Sequence, residues 1–268
     1  MKFAAAFFAF YLVLSGNAHA APLTFNTALP VSKNEYILRE QLVVNRFEGD
    51  RTRTSLVSTV VYGVSQKFAL FGTLPYANIN TSTGNTSGFG DTRIFGRYTV
   101  YQNDFQGGTF RIAPFAGAKL PTSSNATGTA SWDVFGGLVA TYGSVDWELD
   151  AQLSYQINNQ ANQFEAGDIS RADVSLQYRI VPSKLRADTN SFINAVMEAN
   201  LIHAGQNKIN NVTNLNSGGT TLFVVPGLQY VTERYIAEIG LQIPVIQDLY
   251  DIAAANDYIF RTGLRFNF

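Results

Sequence analysis

Apolar and polar residues alternate without a break from Val145 to Ile157. Trp147, Leu149 and Leu153 fall on one face of this pattern, opposite acids and amides on the other. A period of two predicts a β-strand with one apolar and one polar face. Strands in soluble sandwiches are commonly about half this long, whereas a strand crossing a bilayer needs about 9–11 residues. The alternation therefore favours a membrane-spanning strand.

The same alternation recurs along the chain and predicts twelve strands. Their ranges are 35–45, 53–62, 68–78, 91–101, 109–120, 132–142, 145–157, 168–180, 191–202, 221–231, 235–243 and 258–268. Lipid cannot hydrogen-bond to the backbone, so such strands survive in a bilayer only as a closed barrel. The chain is predicted to be all-β, a transmembrane antiparallel β-barrel of about 12 strands. Glu40 falls on the predicted lipid-facing side, so we expect a bulge or a shift of register there.

The connections alternate between compact and long polar segments. The compact ones are 63–67, 102–108, 143–144, 181–190 and 232–234, and the long ones are 79–90, 121–131, 158–167, 203–220 and 244–257. Short periplasmic turns and long extracellular loops are typical of outer-membrane barrels. An even number of strands then puts both termini at the periplasmic rim. Aromatic residues cluster at strand ends, as expected for girdles at the headgroup level: Tyr36, Tyr62, Phe68, Phe110, Tyr142, Trp147, Tyr178, Tyr230, Tyr235 and Phe268 at the periplasmic side, and Trp132, Tyr155 and Tyr258 opposite.

The amino terminus has the three parts of a secretory signal peptide: Lys2, an apolar run over 3–14, and small residues at Ala18 and Ala20. We predict a signal peptide over 1–20, cleaved after Ala20. The apolar run is too short for an uncleaved anchor, which needs about 20 residues. Residues 21–34 are expected to be a short periplasmic segment or to enter the lumen as a small plug. Residues 35–268 form the predicted barrel, located in the outer membrane of a Gram-negative cell.

The last strand ends in a row of apolar side chains: Leu264, Phe266 and the terminal Phe268. A terminal aromatic on an amphipathic strand resembles the signal that bacterial outer-membrane proteins present to the barrel insertion machinery. The expected partners are therefore that machinery and outer-membrane lipid.

Unlike Glu40, a basic and an acidic set of charged residues fall on the polar face of the predicted strands. A charge facing lipid is costly, about 2–4 kcal/mol for Arg or Lys at the midplane, so these side chains must face the lumen. The basic set is Arg93, Arg97, Arg111, Lys119, Arg261 and Arg265, and the acidic set is Glu148, Asp150, Asp173, Glu198 and Glu238, with Asp146 beside them. Two interpretations stay open: opposed walls of an open, charge-lined channel, or charges that pair across the lumen and close it.

Catalytic and cofactor chemistry finds little support in the sequence. The predicted mature chain keeps one histidine, His203, with no serine motif to accompany it. The acidic segment 248–257 lacks the ligand spacing of a recognised calcium loop, and 88–90 lacks the third glycine and the helix of a dinucleotide loop. The near-neutral charge is unlike that of nucleic-acid binders. We expect no enzyme activity, no cofactor, no metal site and no nucleic-acid partner.

Several segments together resemble a family of outer-membrane transporters named for the MetA pathway of phenol degradation. They are 71–76 (FGTLPY), 88–98 (GFGDTRIFGRY), 113–122 (APFAGAKLPT), 225–230 (VPGLQY) and 237–244 (AEIGLQIP). The resemblance implies a barrel that passes small molecules, aromatic or other hydrophobic compounds among them, and it carries no catalytic residues. The expected function is passive passage of a small-molecule solute. The alternative is a non-conducting structural or surface-interaction barrel that displays loop 203–220.

Overall fold

The computed structural model describes residues 20–124, 127–184, 189–251 and 253–268. Antiparallel strands form one closed sheet around a central lumen. Its strands are β1 (Tyr36–Phe47), β2 (Thr52–Gly63), β3 (Phe68–Thr81), β4 (Gly84–Phe89), β5 (Arg93–Tyr98), β6 (Tyr101–Phe105), β7 (Gly108–Lys119), β8 (Asp133–Ser144), β9 (Trp147–Ile157), β11 (Ile169–Val181), β12 (Ser191–Ala204), β15 (Gly219–Thr232), β16 (Tyr235–Leu249) and β17 (Asn256–Asn267). A second small sheet contains β10 (Phe164–Glu165), β13 (Lys208–Ile209) and β14 (Val212–Thr213).

Twelve strand positions surround the lumen, because β4, β5 and β6 follow one another along the fourth position. β4 and β5 pair with β3, while β5 and β6 pair with β7. The barrel closes where β1 pairs with β17, from Ile37 opposite Asn267 to Phe47 opposite Asn256. The predicted fold class and the number of strands are confirmed.

Strand β1 has no bulge at Glu40, so the prediction of one there was wrong. The ladders of β1 with β2 and β17 run through this residue without a shift, and Glu40 stays on the outer face of the barrel. Its neighbour across the ladder, Ser58, donates its hydroxyl to Glu40 Oε2 at 2.8 Å. This hydrogen bond satisfies part of the carboxylate within the outer surface, so the strand keeps its register.

Two of the predicted long loops are largely strand. β3 continues to Thr81, turns through residues 82–83 and returns as β4, and β16 continues to Leu249. The prediction of loops over 79–90 and 244–257 was therefore wrong in its bounds. Asn, Thr and Ser were interpreted as loop residues, but a strand beyond the bilayer can expose polar side chains to water on both faces. The barrel wall is therefore longer at these points than the sequence analysis predicted.

Exposed aromatic side chains mark both ends of the strands. At the end predicted to be periplasmic, the rings of Tyr36 and Tyr62 stack with centroids 4.7 Å apart, and those of Tyr142 and Trp147 at 4.9 Å. At the other end Trp132 is 60% exposed. These aromatic residues lie at strand ends, and their position at the headgroup level stays a prediction.

The predicted signal peptide lies outside the described residues except for Ala20. No helix among the described residues is long and apolar enough to cross a membrane.

Candidate functional site

The chain before β1 enters the barrel, where residues 21–31 are buried or half-buried. We call residues 21–34 the plug; they have no regular secondary structure, yet Ala28 is fully buried and Leu23 is 2% exposed. A chain without its own backbone ladder can be buried only if its polar groups find other partners. The inner face of the barrel supplies those partners.

Acidic side chains of the wall accept hydrogen bonds from the plug. Glu198 on β12 accepts from the backbone N–H of Leu23 at 2.6 Å and from the hydroxyl of Thr24 at 2.5 Å. The backbone N–H of Ala28 donates to Thr141 Oγ1 on β8 at 2.7 Å. These groups hold the N–H and hydroxyl donors of the plug.

Basic and amide side chains hold the carbonyl groups of the same segment. Arg97 on β5 donates to the carbonyl oxygens of Thr27 and, at 2.6 Å, of Leu29. Arg39 on β1 donates to the carbonyl oxygens of Pro22 at 3.0 Å and Leu23 at 3.2 Å. Charged donors make stronger hydrogen bonds than neutral ones. Because β1 and β5 supply donors to the plug while β8 and β12 supply acceptors, several strands of the wall hold it.

The charged strand residues predicted to face the lumen lie on the inner face, whereas Asp146 lies in the turn between β8 and β9 with its side chain 56% exposed. The partners of the inward charges match neither of the two interpretations. Among the described residues, the ion pairs stay local, and none joins the basic side chains of β5 and β7 to the acidic ones of β9, β11 and β12. The ion pairs that involve wall residues are Arg39–Glu238, Arg111–Asp104, Lys119–Asp91, Lys119–Asp133, Arg171–Asp173 and Arg179–Asp146. Between the two walls lies the plug, which the sequence allowed but did not require.

Apolar contacts position the amino-terminal part of the plug. Leu23 packs against Val196 and Val225 in one buried cluster. Its side chain rests on Gly227 and Gly240, which lie opposite each other on β15 and β16. A Cβ on Gly240 would lie 2.7 Å from Leu23 Cδ1. The two glycines thus leave the space that the leucine fills.

Phenylalanines line the opposite side of the lumen, a feature that the sequence analysis missed. Phe71 and Phe95 stack with centroids 4.3 Å apart, and Phe95 lies 6.0 Å from Phe115 and 5.8 Å from Phe135. We call these four residues the phenylalanine cluster; Ala28 of the plug packs against it. Phe95 alternates with Arg93 and Arg97 in the sequence, so following the polar face of that strand would have placed it inside.

A cavity of about 630 Å³ remains between the plug and the wall. The phenylalanine cluster lines it together with six arginines: Arg39, Arg93, Arg97, Arg171, Arg261 and Arg265. Glu35 is the single acidic residue of the described lining. The volume lies within the range of about 300–1,000 Å³ that is usual for small-molecule sites.

The described residues contain no group of three His, Cys, Asp or Glu side chains placed to hold a metal ion. His203 lies on β12, where its Nδ1 is 2.9 Å from the hydroxyl of Thr220 on the neighbouring strand. The histidine weighed as a catalytic base therefore has a threonine partner on the barrel wall.

Comparisons with known proteins agree with this architecture. The COG4313 outer membrane channel from Pseudomonas putida F1 is 14% identical, with 93% of this chain and 100% of that chain covered at a TM-score of 0.69. The NanC porin is also 14% identical, with 86% and 98% covered at a TM-score of 0.51. No curated protein matches the sequence. The fold is that of an outer-membrane β-barrel.

A family model described as "Putative MetA-pathway of phenol degradation" matches residues 41–238. This match covers most of the chain, and the chain belongs to that family. The resemblance seen in the short glycine-rich segments is confirmed.

Proposed function

We propose that the barrel is an outer-membrane channel for passive passage of small solutes, aromatic or other hydrophobic compounds among them. The observation that carries the proposal is the cavity of about 630 Å³ between the plug and the wall. A barrel whose interior served stability alone would fill this space with side chains, as small barrels do. The phenylalanine cluster gives the cavity an apolar surface that suits a solute with a ring.

The mode of attachment of the plug supports passage as well. Its contacts with the wall are hydrogen bonds and apolar packing, and the chain has no cysteine to fix it covalently. The plug joins β1 at the periplasmic end, where the backbone N–H of Asn34 donates to the carbonyl of Gly63 at 2.7 Å. Movement about this joint would enlarge the lumen without breaking the barrel.

Conductance in a planar bilayer tests the proposal. We expect wild-type protein to show discrete conductance steps, and a variant lacking residues 22–31 to show larger ones. Both proteins should migrate as folded, heat-modifiable barrels on gels. A folded deletion variant that leaves the bilayer as resistant as protein-free lipid would refute a channel.

Liposome swelling tests the class of solute. We expect phenylalanine to enter protein-containing vesicles faster than glutamine, a polar amino acid of comparable size. If glutamine enters as fast as phenylalanine or faster, the proposed preference for aromatic solutes is refuted, while the channel proposal stands.

A non-conducting surface-interaction barrel is the second candidate, and the small sheet of β10, β13 and β14 favours it. This sheet lies in the long connections and exposes Ile209 on β13 and Val212 on β14, with Leu215 just beyond. Glu165 accepts a hydrogen bond from Lys208 at 2.8 Å and raises the pKa of that lysine. An ordered apolar surface of this kind could contact another molecule outside the cell. Absence of conductance in the plug-deleted variant would favour this candidate.

A further inference from the structure

Three arginines of the cavity lie at equal intervals around the barrel. Arg93 is on β5 at the fourth strand position, Arg171 is on β11 at the eighth, and Arg261 is on β17 at the twelfth. Each is therefore one third of the circumference from the other two. All three line the same cavity, and Arg171 interacts electrostatically with both of the others.

Nearby groups leave much of this guanidinium surface unused. Arg93 has no hydrogen bond or ion pair with a described residue, and its guanidinium lies 4.1 Å from the ring centroid of Phe135. Arg171 pairs with Asp173 through one nitrogen at 3.0 Å, while its buried Nε has no partner within the described structure. Arg261 donates its Nε to Gln242 at 2.8 Å. These are partly buried cations with donors still available.

Neighbouring carboxylates are occupied by other groups. Asp173 also accepts from Asn200 at 3.0 Å and from Gln152 at 3.3 Å, and Glu198 is engaged by the plug. Three like charges in a water-filled space with low-dielectric walls raise the local concentration of anions. A guanidinium fork fits a carboxylate, which it can bind through two hydrogen bonds.

We propose that Arg93, Arg171 and Arg261, which we call the arginine ring, bind a small organic carboxylate. The apolar body of this ligand lies against the phenylalanine cluster. The inference rests on the proposed channel function for its route, and it names the class of solute. Binding itself does not require conduction. The carboxylate would contact Arg93 and Arg171, while the planar part would occupy the apolar side of the same cavity. A neutral molecule of equal shape would lack the first of these contacts.

Calorimetric titration of the folded barrel in detergent tests the proposal with benzoate as the probe and benzamide as its neutral isostere. We expect benzoate to bind and benzamide to bind about tenfold or more weakly, as loss of a charge-assisted hydrogen bond implies. Arg93→Gln should weaken benzoate binding by a similar factor. Arg93 is chosen because its side chain makes no hydrogen bond that folding would lose. Arg171→Gln is a second variant at the ring.

Arg234→Gln is the matched control, since it removes the same charge from an exposed periplasmic turn. Equal affinities for benzoate and benzamide, no binding of benzoate, or equal effects of Arg93→Gln and Arg234→Gln would overturn the arginine ring. Reversal potentials in a KCl gradient separate this proposal from the channel itself. Conduction without anion preference would refute the arginine ring but not the channel. Benzoate binding by a barrel that does not conduct would refute the channel but not the arginine ring.

Discussion

Leu23 and Gly240 provide a direct test of how the plug is held in the lumen. Gly240→Ala adds one methyl group to the barrel wall, and its carbon would lie 2.7 Å from Leu23 Cδ1. The leucine is 2% exposed and confined by Val196 and Val225, so it has little room to yield. The added methyl should therefore push the plug away from β15 and β16.

The size of the effect follows from packing energies. Forcing an extra methyl into a packed site costs about 1–3 kcal/mol, and about 1.4 kcal/mol changes an equilibrium tenfold. Gly240→Ala should increase the undocked fraction of the plug by about fivefold to a hundredfold. Leu23→Ala removes the buried side chain and costs about 2–5 kcal/mol by itself. Added to Gly240→Ala, it removes the clash, so the double variant should be more stably docked than the two single effects predict together.

A unique cysteine can report docking, because the natural sequence contains none. Ala28→Cys places a thiol at a fully buried position of the plug, where a bulky water-soluble maleimide reacts only after undocking. The labelling rate should rise with Gly240→Ala and with Leu23→Ala, and the double variant should fall below the product of the two increases. Leu56→Ala, on the lipid-facing side of β2, is the control of equal chemistry and should leave the rate unchanged. If the increase in labelling rate of the double variant equals the product of the two single increases, direct contact between Leu23 and Gly240 is refuted.

The remaining predictions concern assembly and stability. Deleting Phe268 should lower the amount of heat-modifiable barrel in the outer membrane, and equal amounts in wild type and deletion would exclude the assembly role. Lys119→Met should destabilise the barrel by about 3–5 kcal/mol, because the buried carboxylate of Asp133 loses its cation; Asp133→Asn added to it should recover part of the loss, and no recovery would contradict the pairing. Glu40→Leu should raise the temperature at which the folded band disappears from gels, since it removes a charge from the lipid-facing side; a lowered temperature would indicate that the carboxylate stabilises the wall through Ser58.

The strands and the facing of their side chains were predictable because a closed barrel in lipid imposes one strong rule. A charged residue on a spanning strand is expected to face inward, so alternation predicts the register wherever charges occur. Glu40 escaped this reasoning because a hydroxyl on the neighbouring strand satisfies part of its carboxylate. The extension of β3 to Thr81 escaped it because the rule holds only within the bilayer. Beyond the membrane, composition no longer distinguishes a strand from a loop.

The contents of the lumen were less predictable, because the partners of the inward side chains come from distant parts of the chain. Glu198 binds Leu23 and Arg97 binds Leu29, contacts that no local pattern encodes. The phenylalanine cluster could have been found from the alternation that placed Arg93 and Arg97. Aromatic residues on membrane-spanning strands often face lipid, so composition alone does not distinguish these four from lipid-facing rings.

The plug lies between the two charged walls, which were predicted either to face an open lumen or to pair across it. A backbone segment carries donors and acceptors along its length, so it can bind both walls at once: the N–H of Leu23 donates to Glu198, and the carbonyl oxygen of Leu29 accepts from Arg97. The part of the plug that lies between these charges, residues 21–31, has no charged side chain of its own. Removing that segment would leave Glu198 and Arg97 on separate walls, since among the described residues no ion pair joins either of them to the opposite wall. The same polar residues that hold the plug would then line the opened lumen, so one set of inward charges suits both a closed barrel and a conducting one.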